Sequence, residues 1–332
     1  MTYAMSAEVR FLKTDRRGAF SIMRISSCEI ELSWKMICGK AEIVLPRNIK
    51  DFDKQNIKDV FKKGDPVEIY LGYNGDLRLE FKGYIDQVSA NYPITLKLED
   101  EMWKLKQIPV NFASPNITLK GFIDKVVNDY PTDVDLNVSL GAVRFSKVTL
   151  GEVLNKLQSE MSLYSFIRNG KLTIAKPYSD VSNEVPTFDL ERNCESNDLN
   201  YLSKEERLVK IIGQSMQEVA KAVKNKEKNK KLKFEWGDKE ANDTINWTFN
   251  VRTQKELEEA VKKMYNDRKK EGYDGSFKAL GTPSIQHGQR VKITSTLYQD
   301  RQGIYYVDSV KKTFDQSSGY RQEITLGQAV KK

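Results

Sequence analysis

Two spacings of apolar residues divide this chain. In the first hundred residues they recur at every second position, the spacing of half-buried strands. Ile22-Met23-Arg24-Ile25 and Cys28-Glu29-Ile30-Glu31-Leu32-Ser33-Trp34 alternate in this way. Ala41–Leu45 predicts another strand, stopped by Pro46, which has no N–H to give a ladder. Residues 51–63 are polar and predict a partly helical stretch that ends at the turn Gly64-Asp65-Pro66. Val67–Leu71 resumes the alternation, and Asn74-Gly75 is a strong hairpin signal because both residues tolerate positive φ. The return runs through Leu77–Phe81 and Gly83–Val88, and Ile94–Leu98 closes the set. Short strands at this spacing, with turn residues between them, predict a small barrel or sandwich.

From residue 111 the spacing lengthens. Leu119, Phe122, Ile123, Val126 and Val127 share one helical face, and that helix must end before Pro131. Thr149 and Glu152 have capping-box spacing ahead of the stripe Leu150, Val153, Leu154 and Leu157. Arg168-Asn169-Gly170-Lys171 predicts a type I′ hairpin between Leu163–Ile167 and Leu172–Ala175. These stripes read as core, not as ligand boxes. Leu208–Ile212 returns to strand. Thr253-Gln254-Lys255-Glu256 is a second capping box, its stripe is Leu257, Ala260, Val261, Met264 and Tyr265, and Gly272 ends the helix. The last strands are Arg290–Thr294, Ile304–Val310 and Gln322–Leu326.

The two β-rich regions repeat one pattern. Gly64-Asp65-Pro66-Val67-Glu68-Ile69 matches Gly288-Gln289-Arg290-Val291-Lys292-Ile293. Gly83–Val88, with Asp86, matches Tyr305–Val310, with Asp308, and Ile94-Thr95-Leu96 matches Ile324-Thr325-Leu326. Each match alone is weak; three in the same order carry weight. The expected fold is α+β and β-rich: two similar small β-barrel domains with an α+β domain inserted between them. Residues 1–110 form the first barrel and 111–180 the small α+β domain. Residues 181–332 form the second barrel, with a lysine-rich arm at about 216–240 and a helix at 253–271.

Composition narrows the chemistry. The chain has 332 residues, 39% hydrophobic and 30% charged, which fits a folded globular protein of several domains. No apolar run approaches the ~20 residues of a membrane helix, and the first residues do not resemble a secretory signal. Cys28, Cys38 and Cys194 are too sparse for a disulfide framework or a metal motif and read as thiols of a reducing compartment. The single histidine, His287, reads as a solvent-facing turn residue before a strand. Nucleophile-elbow, zinc-protease, phosphate-loop and dinucleotide motifs are absent. The acid clusters Glu99-Asp100-Glu101, Glu205-Glu206 and Glu258-Glu259 read as solvated faces. No catalytic residue, cofactor site or metal site is assigned. The net charge is +8, and +6 of it sits in residues 221–233, where Lys221, Lys224, Lys226, Lys228, Lys230, Lys231 and Lys233 face only Glu227. This run is a candidate contact for an acidic partner, although charge runs are more often solvated arms and no aromatic residue interleaves it for base stacking.

Several runs resemble the baseplate hub proteins of contractile phage tails, the group that includes the late control protein D family and the hub part of VgrG spike proteins. They are Ser33–Arg47, Gly64–Val67 with Leu71-Gly72-Tyr73 and Phe81–Ile85, and, near the C-terminus, Gly281-Thr282-Pro283, Gly303–Val307 and Gly319–Gly327. The resemblance implies a structural protein and not an enzyme. It implies a homotrimer whose six similar barrels form a ring between a sixfold tail tube protein and a threefold spike, with a lumen through which DNA or an effector passes. The chain stops six residues after Leu326, where VgrG-type chains continue into a needle, so the spike is expected to be a separate protein. The expected location is the virion tail baseplate, after synthesis in the bacterial cytoplasm and with no membrane insertion by this chain. Arg78, Lys82, Lys292 and Lys311 lie on predicted barrel strands or their ends, where a lumen-facing role competes with simple solvation. Two other classes compete with the hub: a nucleic-acid-binding protein that uses the lysine arm, and a peptidoglycan-cleaving tail enzyme, for which the chain has no room for an inserted domain of ~150 residues.

Overall fold

The computed structural model describes residues 4–46, 60–90, 93–134, 138–178, 184–216, 231–249, 251 and 253–330. The chain begins with strands β1 (Met5–Phe11), β2 (Phe20–Ile22), β3 (Ser27–Ser33), β4 (Lys40–Val44), β5 (Pro66–Tyr73), β6 (Asp76–Val88) and β7 (Thr95–Asp100), then the short helix α1 (Met102–Leu105). β8 (Pro109–Thr118), α2 (Leu119–Val126), β9 (Thr132–Val134), β10 (Ser139–Thr149), α3 (Leu150–Met161), β11 (Tyr164–Arg168) and β12 (Lys171–Ala175) follow. Next come β13 (Thr187–Asp189), β14 (Cys194–Leu202), β15 (Val209–Met216), β16 (Lys231–Gly237), β17 (Asp243–Thr248) and α4 (Gln254–Arg268). The last four strands are β18 (Gly272–Leu280), β19 (Arg290–Thr294), β20 (Gly303–Asp315) and β21 (Gly319–Ala329).

The chain forms two compact units. The first holds residues 1–107, 180–199 and 275–332; the second holds 108–179 and 200–274. This grouping differs from the division expected above. Residues 200–274, expected with the second barrel, belong with the segment after 107. The reason is visible at β17: Ser162 Oγ donates to Asn246 O, Lys176 Nζ donates to Thr248 O (3.0 Å), and Thr248 Oγ1 donates to Glu160 O (2.9 Å). In the second unit β15 pairs antiparallel with β16 and parallel with β17, and Leu257 and Val261 of α4 pack on Val209, Ile211 and Leu232. Both predicted capping boxes form, at Thr149–Glu152 and Thr253–Glu256. The Asn169-Gly170 hairpin has the two positive φ angles, 51° and 70°, that its type requires.

In the first unit a 13-stranded sheet runs in the order β14-β18-β21-β20-β3-β4-β7-β6-β5-β1-β2, with β19 bridging β13 and β20. Among the described residues the strands do not close into two barrels. β3, from the first repeat, pairs with β20 of the second, and one open sheet serves both. The repeat itself is visible bond by bond. Gly64 N–H donates to Ile85 O (2.7 Å) and Ile85 N–H to Asp65 O (2.9 Å). Gly288 N–H donates to Val307 O (2.7 Å) and Val307 N–H to Gln289 O (2.9 Å). Each pair is followed by a β-bulge, at Asp86 against Leu98 and Lys97, and at Asp308 against Leu326 and Thr325. The third sequence match therefore slips by two residues: Leu96-Lys97-Leu98, not Ile94-Thr95-Leu96, occupies the place of Ile324-Thr325-Leu326. A strand of period two looks alike after a two-residue shift, so alternation could not set this register.

One strand differs between the copies. β1 runs antiparallel to β5, whereas β13 fills the matching place beside β19 in the parallel direction. His287 is buried and not solvent-facing, because its turn folds inward between the buried Ile285 and the bond from Gly288 to Val307.

Gly64 and Gly288 have φ of +87° and +81°, a region in which a side chain costs about 1–2 kcal/mol. If the two turns are equivalent, Gly64→Ala and Gly288→Ala each lower stability by about that amount. Urea unfolding of the two variants checks this; a loss at only one position contradicts the equivalence.

Candidate assembly site

The described residues hold no group of three or more His, Cys, Asp or Glu side chains placed to bind a metal, and no helix long and apolar enough to cross a membrane. The chemistry of the first unit is concentrated instead in the seam between its two repeats. β3 and β20 pair in register from Ser33↔Ser309 to Ser27↔Asp315. On one face, Glu29 and Glu31 of β3 face Lys311 of β20, with Lys311 Nζ 2.8 Å from Glu29. This ladder of mixed charge continues: Arg321 Nε lies 2.9 Å from Glu195, and Glu42 is opposite Lys97.

The other face is buried, and a lysine lies in it. Val310, Lys312 and Phe314 have the same parity on β20, so Lys312 points into the core and is 1% exposed. Its ammonium donates to Glu80 of β6 and to Ser284 Oγ (2.7 Å), and Ser284 Oγ donates to Glu80 Oε2 (2.8 Å). Burial pushes the Lys312 ammonium down and Glu80 pushes it back up. Beside this group Tyr73 of β5 donates its hydroxyl to Tyr320 O and accepts from Gly281 N (3.2 Å). The buried triad and the tyrosine contact thus join β5 and β6 of one repeat to β20 and β21 of the other.

Each bulge aspartate has an indole and an ammonium. Asp86 Oδ1 accepts from Trp103 Nε1 (3.2 Å) and Lys63 Nζ (2.9 Å), which together hold its carboxyl below its ordinary value. Asp308 accepts from Trp34 Nε1 (3.1 Å), and Lys35 Nζ lies 3.1 Å away. Trp103 follows the first repeat's own last strand, whereas Trp34 and Lys35 follow β3 and so come from the opposite repeat.

The connection that carries Trp34 is anchored by Asp100. Its carboxylate accepts from Gly39 N (2.7 Å) and Met102 N (2.9 Å). Burial pushes it up to about 7, against those two backbone donors and helped by the neighbouring Glu99 and Glu101. Asp100 was expected on a solvated face; it turns inward because β7 ends there and α1 begins. Glu99 and Glu101, expected on the same solvated face, are instead mostly covered, with side chains 16% and 13% exposed, and pair with Lys106 and Lys82. Cys28 and Cys38 are buried and Cys194 partly so, all three free, and burial pushes each thiol up, Cys194 to about 12.

The lysine arm is mostly outside the described residues. Lys221, Lys224, Lys226, Lys228 and Lys230 lie there, and Lys231 is described only as the first backbone position of β16. Lys233 Nζ is 2.7 Å from Glu235, whose carboxyl Lys233 and Lys210 hold down to about 2. Arg78 and Lys292 are exposed. Sequence reading missed Lys312, Glu80 and Ser284. The available signal was parity, since a lysine between Val310 and Phe314 sits on the apolar face of an alternating strand.

No protein-family model matches the chain, and no curated protein matches it. Solved structures do. A tail protein from Neisseria meningitidis is similar with a TM-score of 0.65 at 15% identity, over 98% of this chain and 96% of that one. A 43 kDa tail protein of a Shewanella oneidensis prophage is similar with a TM-score of 0.62 at 14% identity, over 98% of both chains. An Escherichia coli component of the type VI secretion system, itself similar in structure to bacteriophage T4 tail proteins, gives 0.57 at 10% identity, over 97% of this chain and 77% of that one. The chain has the fold of these tail and secretion proteins.

Removing one partner of a buried ion pair leaves the other charge stranded. Lys312→Met is expected to cost about 3–5 kcal/mol, and Lys312→Met with Glu80→Met to recover most of it. Urea unfolding of the single and double variants decides this, and equal losses in both would show that the pair is not what holds the seam. A second expectation concerns pH. A carboxyl whose native value, about 7, lies above its ordinary 3.8 binds a proton more tightly in the folded state. Its contribution is full below 3.8 and is lost as pH rises through about 7. The urea midpoint of Asp100→Asn should therefore fall less between about pH 4 and about pH 7 than that of the parent chain; parallel profiles would show that Asp100 does not titrate there.

Proposed function

We propose that this chain is a structural hub subunit of a phage tail or related injection apparatus, assembled as a ring of three. The observation that carries the reading is the repeat. One chain holds two copies of the same bond cassette, bulge and meander, and β3 of one copy already lies on β20 of the other. A chain with two similar modules joined side by side, arranged about a threefold axis, offers six similar modules in a circle. Such a ring meets a sixfold tube on one side and a threefold spike on the other. The likeness to tail and secretion proteins over nearly the whole chain supports the setting.

In this reading the function is mechanical. The eight strands β14-β18-β21-β20-β3-β4-β7-β6 form a continuous run with the mixed-charge ladder on one face. In a ring that face lines a channel for DNA or an effector, and interspersed acids and bases keep it hydrated without a strong field of one sign. The tube protein and a separate spike protein are the partners. The buried face supplies stiffness, because Lys312, Glu80 and Ser284 tie the two modules of each chain at a fixed register. Nothing in this reading requires a reaction.

Negative-stain images of concentrated, mildly cross-linked protein test it. Rings of three chains with six similar lobes are expected. A twofold particle, an open filament, or monomers alone after cross-linking would overturn the ring.

A further inference from the structure

The buried group at the seam holds more chemistry than an ion pair uses. Lys312 Nζ donates to Glu80 and to Ser284 Oγ (2.7 Å), and Ser284 Oγ donates to Glu80 Oε2 (2.8 Å). A primary amine thus lies against a carboxyl group, with the two side chains 1% and 2% exposed. Tyr320 packs beside them against Tyr73 and Phe314, which keeps the site apolar and dry.

Ser284 is pinned from both sides. Gln322, fully buried, accepts at Oε1 from Ile285 N (3.1 Å) and donates through Nε2 to Pro283 O (2.6 Å) and Leu280 O (2.9 Å). One side chain therefore holds the residues before and after the serine and fixes where its hydroxyl points. Two other polar atoms are left over. Glu80 Oε1 and Tyr320 Oη are buried with no hydrogen-bond partner of good geometry among the described residues. Burial and the facing Glu80 push the Tyr320 hydroxyl up, so it keeps its proton. Buried polar groups are rarely left unpaired, and one so left calls for a reason.

We propose that Lys312 and Glu80 go on to form an amide bond between Nζ and Cδ, with release of one water. The step needs no other reactant. In a dry site the ammonium–carboxylate pair loses its advantage over the neutral form, an amine beside a carboxylic acid, because water no longer favours the charges. One proton passes from Nζ to the carboxyl. The freed lone pair attacks Cδ, and charge develops on Oε2, where the Ser284 hydroxyl already donates. A second proton passes from nitrogen to the departing hydroxyl, and Tyr320, which faces this carboxyl group, relays it. The bond from Cδ to that oxygen breaks, its electron pair leaves with the oxygen as water, and the third proton stays on the amide nitrogen. Fixed contact raises the effective concentration of the two groups, and exclusion of water disfavours the reverse reaction. The ion pair is the state that folds; the amide forms from it afterwards. It closes a loop across a separation of 232 residues and straps the two repeats with a bond that survives unfolding.

The test is the intact mass of the full-length chain, denatured once on purification and again after prolonged incubation. A species one water lighter than the sequence is expected, its share rising with time. A tryptic digest of it is expected to hold a branched peptide that joins Leu79–Lys82 to Lys312–Arg321, uncut after Lys312. Lys312→Arg, which keeps the charge without the primary amine, is expected to keep its sequence mass, and Ser284→Ala to lose water several-fold more slowly. A parent chain that stays at its sequence mass throughout overturns the proposal, as does a loss of water that maps to any other pair of peptides. A Ser284→Ala chain that links as fast as the parent overturns the role given to the serine. None of these results bears on the ring, which the images decide separately.

Discussion

β3 lies over β20 with an ammonium beneath it, and that arrangement is tolerable only because Glu80 and Ser284 face Lys312. A buried charge without a partner costs several kcal/mol, so the three groups must arrive together or not at all. Glu80 comes from the first repeat, Lys312 from the second, and Ser284 from the turn before β19. Such a pair need not maximise stability, since an apolar filling of the same volume often does as well. What it does is discriminate. A slip of one residue along the seam would put Lys311 inside and Lys312 outside, and would leave Glu80 alone. Register between the modules is thereby tied to charge, and Tyr73 on the Tyr320 carbonyl adds a second check at the same place.

The bulge aspartates show that the repeats are similar in form and unequal in dependence. Asp86 finds its indole and its ammonium in its own repeat, from Trp103 and Lys63. Asp308 finds both in the other repeat, from Trp34 and Lys35. The first module is therefore complete in itself, whereas the second has a carboxylate that is satisfied only when the first is in place. The same asymmetry appears in the long β20–β21 hairpin, which the first repeat shortens.

Much of this was legible in the sequence. Helix starts were readable because the capping boxes at Thr149 and Thr253 are local chemistry, and the Asn-Gly hairpins because positive φ is a property of single residues. The repeat was readable at Gly64 and Gly288, where a turn forces the residue type. What alternation could not supply was register and partner. β14 was invisible as a strand because Glu195–Asp198 is polar, and a strand held by one neighbour needs no apolar face. β8 and β10 were missed for a related reason: each is only partly buried, and Pro115 and Gly141 interrupt them. The seam was invisible because Lys311-Lys312 looks like a solvated pair until β3 is laid over it. Two barrels were expected from strand spacing and the repeat, and both look the same whether a sheet closes on itself or joins its copy.

The interruption of the second repeat has a consequence for how the protein is made. β13 and β14 are synthesised before residues 200–274, and β18 to β21 after them. The first repeat, apart from the partner of β3, is complete once Trp103 has followed β7 and can settle while the ribosome is still translating the rest. β3 then waits through more than two hundred residues for β20, and Asp308 meets Trp34 across a separation of 274. Contacts of that range close late and slowly. During the wait β3 is an open edge with Ile30 and Leu32 on it, beside nascent copies of the same chain. The acids Glu29 and Glu31, which alternate with those residues, put like charges against any second β3 that tries to pair with it, and so guard the edge until the lysines of β20 emerge.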